Sequence, residues 1–305
     1  MYEQHFGFHR LPFETLSNAS VYVDLDEHRE AFNTVLFGLR SGEGFVKVVG
    51  EVGTGKTALS RSLLARLDDD FVTAYLPNPV MRPNELLRAI ADELGSPVAS
   101  HAGMHELQRA IRAKLIDIAR AGGRVAVFVD EAQTMPANTL EELRLLSNLE
   151  SNEGRLVQVV LFGQPELDAK LADYGLRQLQ QRIAFTARLS PLNRAACRAY
   201  VTRRIEYASV APRPIFSSAA IDRIHRGSGG IPRLVNTLCH KSLIAAFADG
   251  DFEVRRRHVA RALADTEGIE RWGRWPLFSR ARFRRAATPR RRDDWTGTPN
   301  WEPPR

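Results

Sequence analysis

The chain has 305 residues, of which 44% are hydrophobic and 26% charged, so it can bury a sizeable core and has the balance of an ordinary globular protein. Its two cysteines argue against a disulfide framework, and its apolar runs are too short to span a membrane. The net charge is +7, but residues 269–305 supply +6 of it, so the rest of the chain is nearly neutral and gives no overall sign of nucleic-acid affinity.

The first 27 residues contain aromatic and turn residues without a clear period. We expect an irregular lead-in that packs over the glycine-rich loop further along the chain. The opening lacks the basic and apolar segments of a signal peptide, so we expect a cytoplasmic protein.

Residues 28–191 alternate helical patterns with short apolar runs. The runs that predict strands lie at 45–49, 71–76, 125–129, 156–162 and 183–189. Because these runs are apolar throughout and not alternating, both faces of each strand are expected to be buried. The pattern predicts an α/β fold, a parallel sheet with helices on both faces.

Residues 192–268 show helical spacing at 193–209, 217–227, 231–249 and 255–266, and no strand pattern. This predicts a small all-helical domain after the α/β core. The last segment, residues 269–305, mixes arginines, tryptophans and prolines, and we expect it to be disordered. Its composition suits an anionic membrane surface, a nucleic acid with stacked bases, or a solvated extension without a partner.

A glycine-rich motif lies between the first strand and the helix that follows it. Its pattern, G-x-x-x-x-G-K-T, is that of a phosphate-binding loop whose backbone N–H groups point at a triphosphate. Lys56 is predicted to reach the β- and γ-phosphates, and the hydroxyl of Thr57 to help hold Mg²⁺. The nucleotide-binding candidates are Gly50, Glu51, Val52, Gly53, Thr54, Gly55, Lys56, Thr57 and Ala58.

Two carboxylates follow directly on the strand at 125–129. Asp130 is predicted to hold Mg²⁺ with Thr57, and Glu131 to be the general base that polarises an attacking water. Together with the loop, this pair indicates hydrolysis of ATP, with ATP and Mg²⁺ as cofactors.

Further polar residues are candidates for the same site. Gln164, after the strand at 156–162, is predicted to orient water or touch the γ-phosphate, although capping of the next helix explains it nearly as well. Asn78 could hydrogen-bond Glu131 and hold it idle, but an asparagine between prolines is also ordinary turn chemistry. Arg233, placed by Pro232 at a helix start, is predicted to sense the γ-phosphate and move the helical domain.

Arg182 precedes the last core strand and is a candidate arginine finger that reaches the nucleotide of a neighbouring subunit, with Arg177 as the weaker candidate. The alternative is a solvated helix face in an arginine-rich chain. A finger that acts across subunits implies a homo-oligomer.

Five motifs in this order resemble those of the AAA+ ATPases: 50–57, Asp130-Glu-Ala-Gln133, Gly163-Gln-Pro-Glu-Leu167, Gln181-Arg-Ile183 and Gly230-Ile-Pro-Arg233. Within that family the sequence is most similar to the secretion-pathway branch of general secretion pathway protein A and MshM. The resemblance implies an ATPase that serves assembly of a secretion or type IV pilus apparatus. It also implies a membrane-associated partner and a cytoplasmic location, with peripheral attachment to the inner membrane as a further possibility.

Members of that branch commonly continue into a transmembrane helix and a peptidoglycan-binding domain, and we find neither pattern in this sequence. The alternative function is a DNA-associated AAA+ ATPase, similar to transposition helpers and replication initiators. The near-neutral body, and the lack of a helix-turn-helix with a basic recognition face in 193–266, weaken it. A nucleotide-gated adaptor that barely hydrolyses is the third interpretation.

Overall fold

The computed structural model describes residues 2–14, 26–96, 98–99, 101–151, 154–211 and 213–266. The segment 269–305, whose basic and aromatic residues suggested a lipid or nucleic-acid surface, lies outside the described residues. So does most of the second half of the predicted lead-in.

The described chain alternates helices and strands up to residue 189 and is helical afterwards. The strands are β1 (Phe45–Gly50), β2 (Phe71–Leu76), β3 (Arg124–Val129), β4 (Glu150–Ser151), β5 (Gly154–Arg155), β6 (Val157–Gly163) and β7 (Ile183–Leu189). The first helices are α1 (Tyr2–Phe6), α2 (Asp26–Arg40), α3 (Lys56–Leu64), α4 (Pro83–Glu93), α5 (Met104–Arg120), α6 (Ala137–Leu146), α7 (Glu166–Leu171) and α8 (Arg177–Arg182). They are followed by α9 (Arg194–Ala208), α10 (Ser218–Ser228), α11 (Pro232–Ala248) and α12 (Arg256–Ala264).

Five strands form a parallel sheet in the order β2-β3-β6-β1-β7. Side chains of β3 show why its sequence is apolar throughout: Val125, Val127 and Val129 face one buried cluster, and Ala126 and Phe128 face another. The first cluster includes side chains of α4, α5 and α6, and the second includes those of α2 and α3. The predicted α/β fold, a parallel sheet with helices on both faces, is confirmed.

The strand order brings the predicted nucleotide motifs together. All five strands are parallel, so their carboxyl ends lie at one edge of the sheet, where ligands bind in open α/β sheets. The adjacent strands β3, β6 and β1 end at Val129, Gly163 and Gly50, directly before or within the predicted motifs. The fold therefore gathers residues that are more than a hundred positions apart in the sequence.

The helices α9–α12, called the helical unit here, share a separate buried cluster with the amino terminus. We expected an irregular lead-in over the phosphate loop, but the described part begins as α1 and packs on the helical unit. The hydroxyl of Tyr2 and Nδ1 of His240 share a hydrogen bond of 2.8 Å. The guanidinium of Arg204 donates to the carbonyl of Pro12 at 2.6 Å. Aromatic side chains explain this placement, because Tyr2, Phe6, Phe8 and Phe13 are all buried in that cluster.

Smaller differences concern element ends. Helix α6 ends at Leu146, after which the chain turns into the β4–β5 hairpin, a pair of short strands that the sequence does not predict. Helix α8, which carries Arg177 and Arg182 at its two ends, was not predicted. Within the described ranges, no helix combines the length and apolarity needed to cross a membrane.

Candidate nucleotide site

The phosphate loop, residues 50–57, has the backbone that a phosphate cradle needs. Gly53 adopts φ +80°, a conformation that favours glycine, and a Cβ there would lie 2.8 Å from Cβ of Arg233. Thr54 is fully buried and donates its hydroxyl to the carbonyl of Glu51 at 2.8 Å, which fixes the turn. Helix α3 starts at Lys56, so its first N–H groups open toward the loop, and Ala58 lies in its first turn.

Lys56 is held inside this loop. Its side chain is 5% exposed, and its Nζ donates to the carbonyls of Gly50 at 2.8 Å and Glu51 at 3.1 Å. Burial lowers the pKa of the Lys56 ammonium, and the negative charges of Glu131 and Asp130 oppose that shift. The ammonium is thus directed at the place where the loop would hold phosphate.

Asp130 and Thr57 come into contact as a potential Mg²⁺ site. The hydroxyl of Thr57 donates to Oδ2 of Asp130 at 2.8 Å, and Asp130 is 3% exposed. The hydroxyl of Tyr75 lies 3.4 Å from the same oxygen. A hydroxyl and a carboxylate are both oxygen donors of the kind that Mg²⁺ prefers, so the residues present fit the metal.

Glu131 has a left-handed backbone conformation, and its carboxylate is held by hydrogen bonds. Its φ is +49°, the one positive value among the described non-glycine residues. Its Oε2 accepts from the side-chain amide of Gln133 at 2.5 Å and from that of Gln164 at 2.9 Å. Gln164, which the sequence predicts to orient water or touch the γ-phosphate, thus lies against the carboxylate of Glu131.

Asn78 does not take the place that we predicted for it. Its side chain is exposed, and among the described residues Glu131 accepts instead from Gln133 and Gln164. Both β2 and β6 pair with β3, but the side chain of Asn78 after β2 is exposed, whereas the amide of Gln164 after β6 reaches Glu131.

Arg233 brings the helical unit onto the phosphate loop. Its backbone N–H donates to the carbonyl of Gly53 at 3.1 Å, while its side chain is exposed. Ile231 also lies against Gly53, 3.1 Å from the position of a Cβ there. Any movement of the loop on ligand binding therefore reaches the first turn of α11 directly.

Arg182 and Arg177 lie at the two ends of α8. The guanidinium of Arg177 covers the ring of Tyr174 at 5.1 Å. The side chain of Arg182 is partly exposed, and it makes no hydrogen bond or ion pair with the part of the chain that the structure describes. Neither side chain is brought to the phosphate loop of its own chain.

Sequence reasoning missed two residues near the loop. His28, a buried residue of α2, has Nε2 3.0 Å from the carbonyl oxygen of Thr54. Gln133 ends the motif Asp130-Glu-Ala-Gln133, and the sequence predicts no role for it. Neither had a periodic or spacing signal, because each acts through a tertiary contact.

A second cluster of potential metal ligands lies in the helical unit. Asp249, Asp251 and His258 bring their donor atoms within 4.8 Å of one another. Both carboxylates already form ion pairs, Asp249 with Arg261 and Asp251 with Arg257. This cluster is explained as a charge-balanced structural contact.

Residues 39–171 match the family model described as "AAA domain". These residues form a domain of the AAA family. The chain is 43% identical over 275 residues to "General secretion pathway protein A" of Aeromonas hydrophila, and the match covers 90% of this chain and 50% of that protein. The chain thus spans about half the length of this curated relative.

Solved structures support the fold of the chain. The Aeropyrum pernix ORC2 protein in its ADPNP–ADP complexes matches with a TM-score of 0.64 and 20% identity, over 85% of this chain and 72% of that one. The Aeropyrum pernix ORC1 protein in complex with DNA matches with a TM-score of 0.60 and 19% identity, over 80% and 66%. At these identities the likeness shows the P-loop α/β fold alone.

Proposed function

We propose that this protein binds and hydrolyses Mg-ATP at the edge formed by β3, β6 and β1. The observation that carries the proposal is the contact set around Glu131: a carboxylate held by two amides, next to the Thr57–Asp130 pair and a buried lysine. Lys56 would hold the phosphates, Thr57 and Asp130 the metal, and Glu131 would take a proton from the attacking water.

Three more residues have proposed roles in the same cycle. Gln164 and Arg233 are proposed to sense the γ-phosphate, and Arg182 to complete the site of a neighbouring copy. A homo-oligomer is part of this proposal, as is the division of the chain into a core of residues 28–191 and a helical domain of residues 192–268.

The test is Glu131→Gln, which keeps the size of the side chain and removes the base. We expect the variant to bind ATP with nearly unchanged affinity and to release phosphate at least about 100-fold more slowly, the scale of a lost general base. Binding is measured with a fluorescent ATP analogue and turnover by phosphate release. Wild-type turnover in this variant would contradict the assignment.

We further propose that the ATPase serves a membrane secretion or type IV pilus assembly system through a membrane-associated partner. The similarity to general secretion pathway protein A over 90% of this chain supports that role. Affinity purification of the Glu131→Gln protein from detergent-solubilised membranes, with and without ATP, tests it. We expect at least one membrane protein to be retained only when ATP is present. Retention of the same proteins with and without ATP would argue against the role.

A DNA-associated ATPase is the second candidate, and the distribution of charge favours it more than the near-neutral body suggested. Residues 1–191 contain 20 basic and 25 acidic residues, a net charge of −5, whereas residues 192–268 contain 13 and seven, a net charge of +6. DNA-stimulated turnover, with binding that weakens steeply as salt is raised, would establish this function. Turnover unaffected by DNA at low salt would exclude it.

A further inference from the structure

The side-chain amide of Gln133 is oriented unambiguously by its two partners. Its Oε1 accepts from the backbone N–H of Gln164 at 3.1 Å, and an N–H group can only donate. The Nε2 of Gln133 therefore points at Oε2 of Glu131, 2.5 Å away, and donates to it. The same amide thus links the end of β6 to the carboxylate after β3.

The backbone around Gln133, in the turn after β3, is held by side chains. Lys170 on α7 donates to the carbonyl of Gln133 at 2.8 Å and also to the carbonyl of Met135. The hydroxyl of Thr134 donates to the carbonyl of Glu131 at 2.9 Å. These contacts fix the short turn in which Glu131 has its positive φ, so the backbone that carries Gln133 is held in place.

The two oxygens of Glu131 have different surroundings. Oε2 accepts from both Gln133 and Gln164, whereas Oε1 has no donor among the residues that the structure describes. A carboxylate anchored through one oxygen has its rotation fixed and leaves the other oxygen to accept from water. A base oriented by a third group in this way is a common arrangement in catalytic sites.

We propose that Gln133 is a positioning residue for hydrolysis, which anchors Oε2 of Glu131 so that Oε1 faces the attacking water. This inference rests on the proposed ATP hydrolysis and deepens it. It assigns to Gln133 an effect on the rate of the chemical step and not on nucleotide binding, because its side chain hydrogen-bonds Glu131 and Gln164 and, among the described residues, no residue of the phosphate loop.

Two substitutions separate this role from a structural one. Gln133→Met keeps the approximate volume and removes both hydrogen bonds. Gln133→Glu keeps an oxygen that accepts from the N–H of Gln164 but replaces the donor to Glu131 by a repelling carboxylate. If Gln133 only supported the backbone of Gln164, the glutamate variant would behave like the wild type.

The matched control is Gln108→Met. Gln108 on α5 also donates its side-chain amide to a glutamate, Glu142 on α6, at 2.8 Å, but this pair lies outside the site. Steady-state phosphate release gives kcat and KM for ATP, and thermal unfolding shows that each variant is folded.

We expect both Gln133 variants to lose at least about ten-fold in kcat, a fraction of the 10²–10⁴-fold that a general base contributes, with KM changed less than about two-fold. Gln108→Met should keep the wild-type kcat. If Gln133→Met does not fold, the glutamate variant decides. Gln133→Glu with wild-type kcat, or equal losses in the Gln108 control, overturns the positioning role. Wild-type protein without turnover overturns the proposed hydrolysis as well.

Discussion

A lysine ammonium is seldom buried without a partner, and Lys56 is tolerated because two loop carbonyls accept from it. Those carbonyls belong to Gly50 and Glu51, the first residues of the same loop. The ammonium group therefore lies inside the loop, hydrogen-bonded to its backbone, before any ligand binds. A phosphate that enters the loop exchanges these neutral acceptors for charged ones, which bind an ammonium more strongly.

Replacing Lys56 by alanine should remove this gain. We expect the dissociation constant for ATP to rise at least about 100-fold, which corresponds to about 2.7 kcal/mol of binding free energy. Equilibrium titration with a fluorescent ATP analogue measures it. Lys241→Ala, in the helical unit and paired there with Asp265, is the control. Unchanged affinity of the Lys56→Ala protein would disprove the phosphate-loop assignment.

Asp168 is a second charged residue whose partners decide its behaviour. Burial by itself would raise the pKa of Asp168, but hydrogen bonds and charge from Lys47 at 2.5 Å and Arg188 at 3.0 Å outweigh it, so the pKa lies below its ordinary value of 3.8. These ion pairs join α7 to β1, which carries Lys47, and to β7, which carries Arg188. Because the folded state favours the carboxylate, its contribution to stability is complete well above pH 3.8 and is lost as the pH falls through the lowered value.

Asp168→Asn should therefore destabilise the protein at neutral pH and much less in acid. We expect a loss of about 2–4 kcal/mol at pH 7, somewhat less than for a fully buried pair because Asp168 is 30% exposed. Urea unfolding of both proteins over a series of pH values from 7 down to about 2 measures the difference, with Asp92→Asn on the surface of α4 as the control. A difference of the same size throughout the series would refute this account.

At the scale of elements, the junction between the core and the helical unit depends on close backbone contact. The N–H of Leu192 donates to the carbonyl of Gly230 at 2.8 Å, and His225 contacts the carbonyl of Leu192 at 3.0 Å. Gly230 has φ +78°, and a Cβ there would lie 2.1 Å from the carbonyl oxygen of Leu192. The start of α11, and with it Arg233, is therefore positioned by a contact that only glycine permits.

The adjacent Gly229 provides a matched comparison, because it has φ +59° and open space around its Cβ position. We expect Gly229→Ala to cost about 1–2 kcal/mol of unfolding free energy, the cost of a left-handed alanine. Gly230→Ala should cost at least about 2 kcal/mol more and reduce ATP turnover, because the backbone of Leu192 must move. Urea unfolding and phosphate release measure both effects. Equal losses in the two variants would contradict a role for the close contact.

Elements that the sequence predicted well are those that bury continuous apolar runs. Five strands and most of the helices between them are predicted correctly, because runs such as 125–129 have no polar position that could face solvent. Helix α1 was missed since a five-residue helix has little stability of its own and forms through packing on α11. The amides around Glu131 were beyond reach because they depend on the left-handed backbone of Glu131 and on the order of β3 and β6 in the sheet.

At the scale of the whole molecule, the proposed role of Arg182 would connect the site to assembly. Its partly exposed side chain has no ion partner within the described residues, and it does not approach its own phosphate loop. A site completed by the arginine of a neighbouring copy would hydrolyse ATP only within an oligomer. Fingers of this kind contribute roughly 10³- to 10⁵-fold in rate.

Mixing two inactive variants tests this arrangement. Arg182→Ala supplies an intact base and Glu131→Gln an intact arginine, so mixed oligomers should contain some complete sites and turn over faster than either variant alone. Phosphate release at several mixing ratios measures it. Arg177→Ala, whose arginine covers Tyr174, should be active by itself. A mixture no faster than its components would show that Arg182 does not act across subunits.

The docking of α1 on the helical unit has a consequence for how that unit can move. Residues 2–13 lie on the helical unit, α2 lies on the sheet, and the chain returns to the helical unit after β7. The helical unit thus packs with chain from both sides of the core, from before α2 and from after β7. Attachment at both ends restricts free swinging and favours rotation about a single axis. A fluorophore attached at the amino terminus would travel with α11 and report its displacement relative to the sheet.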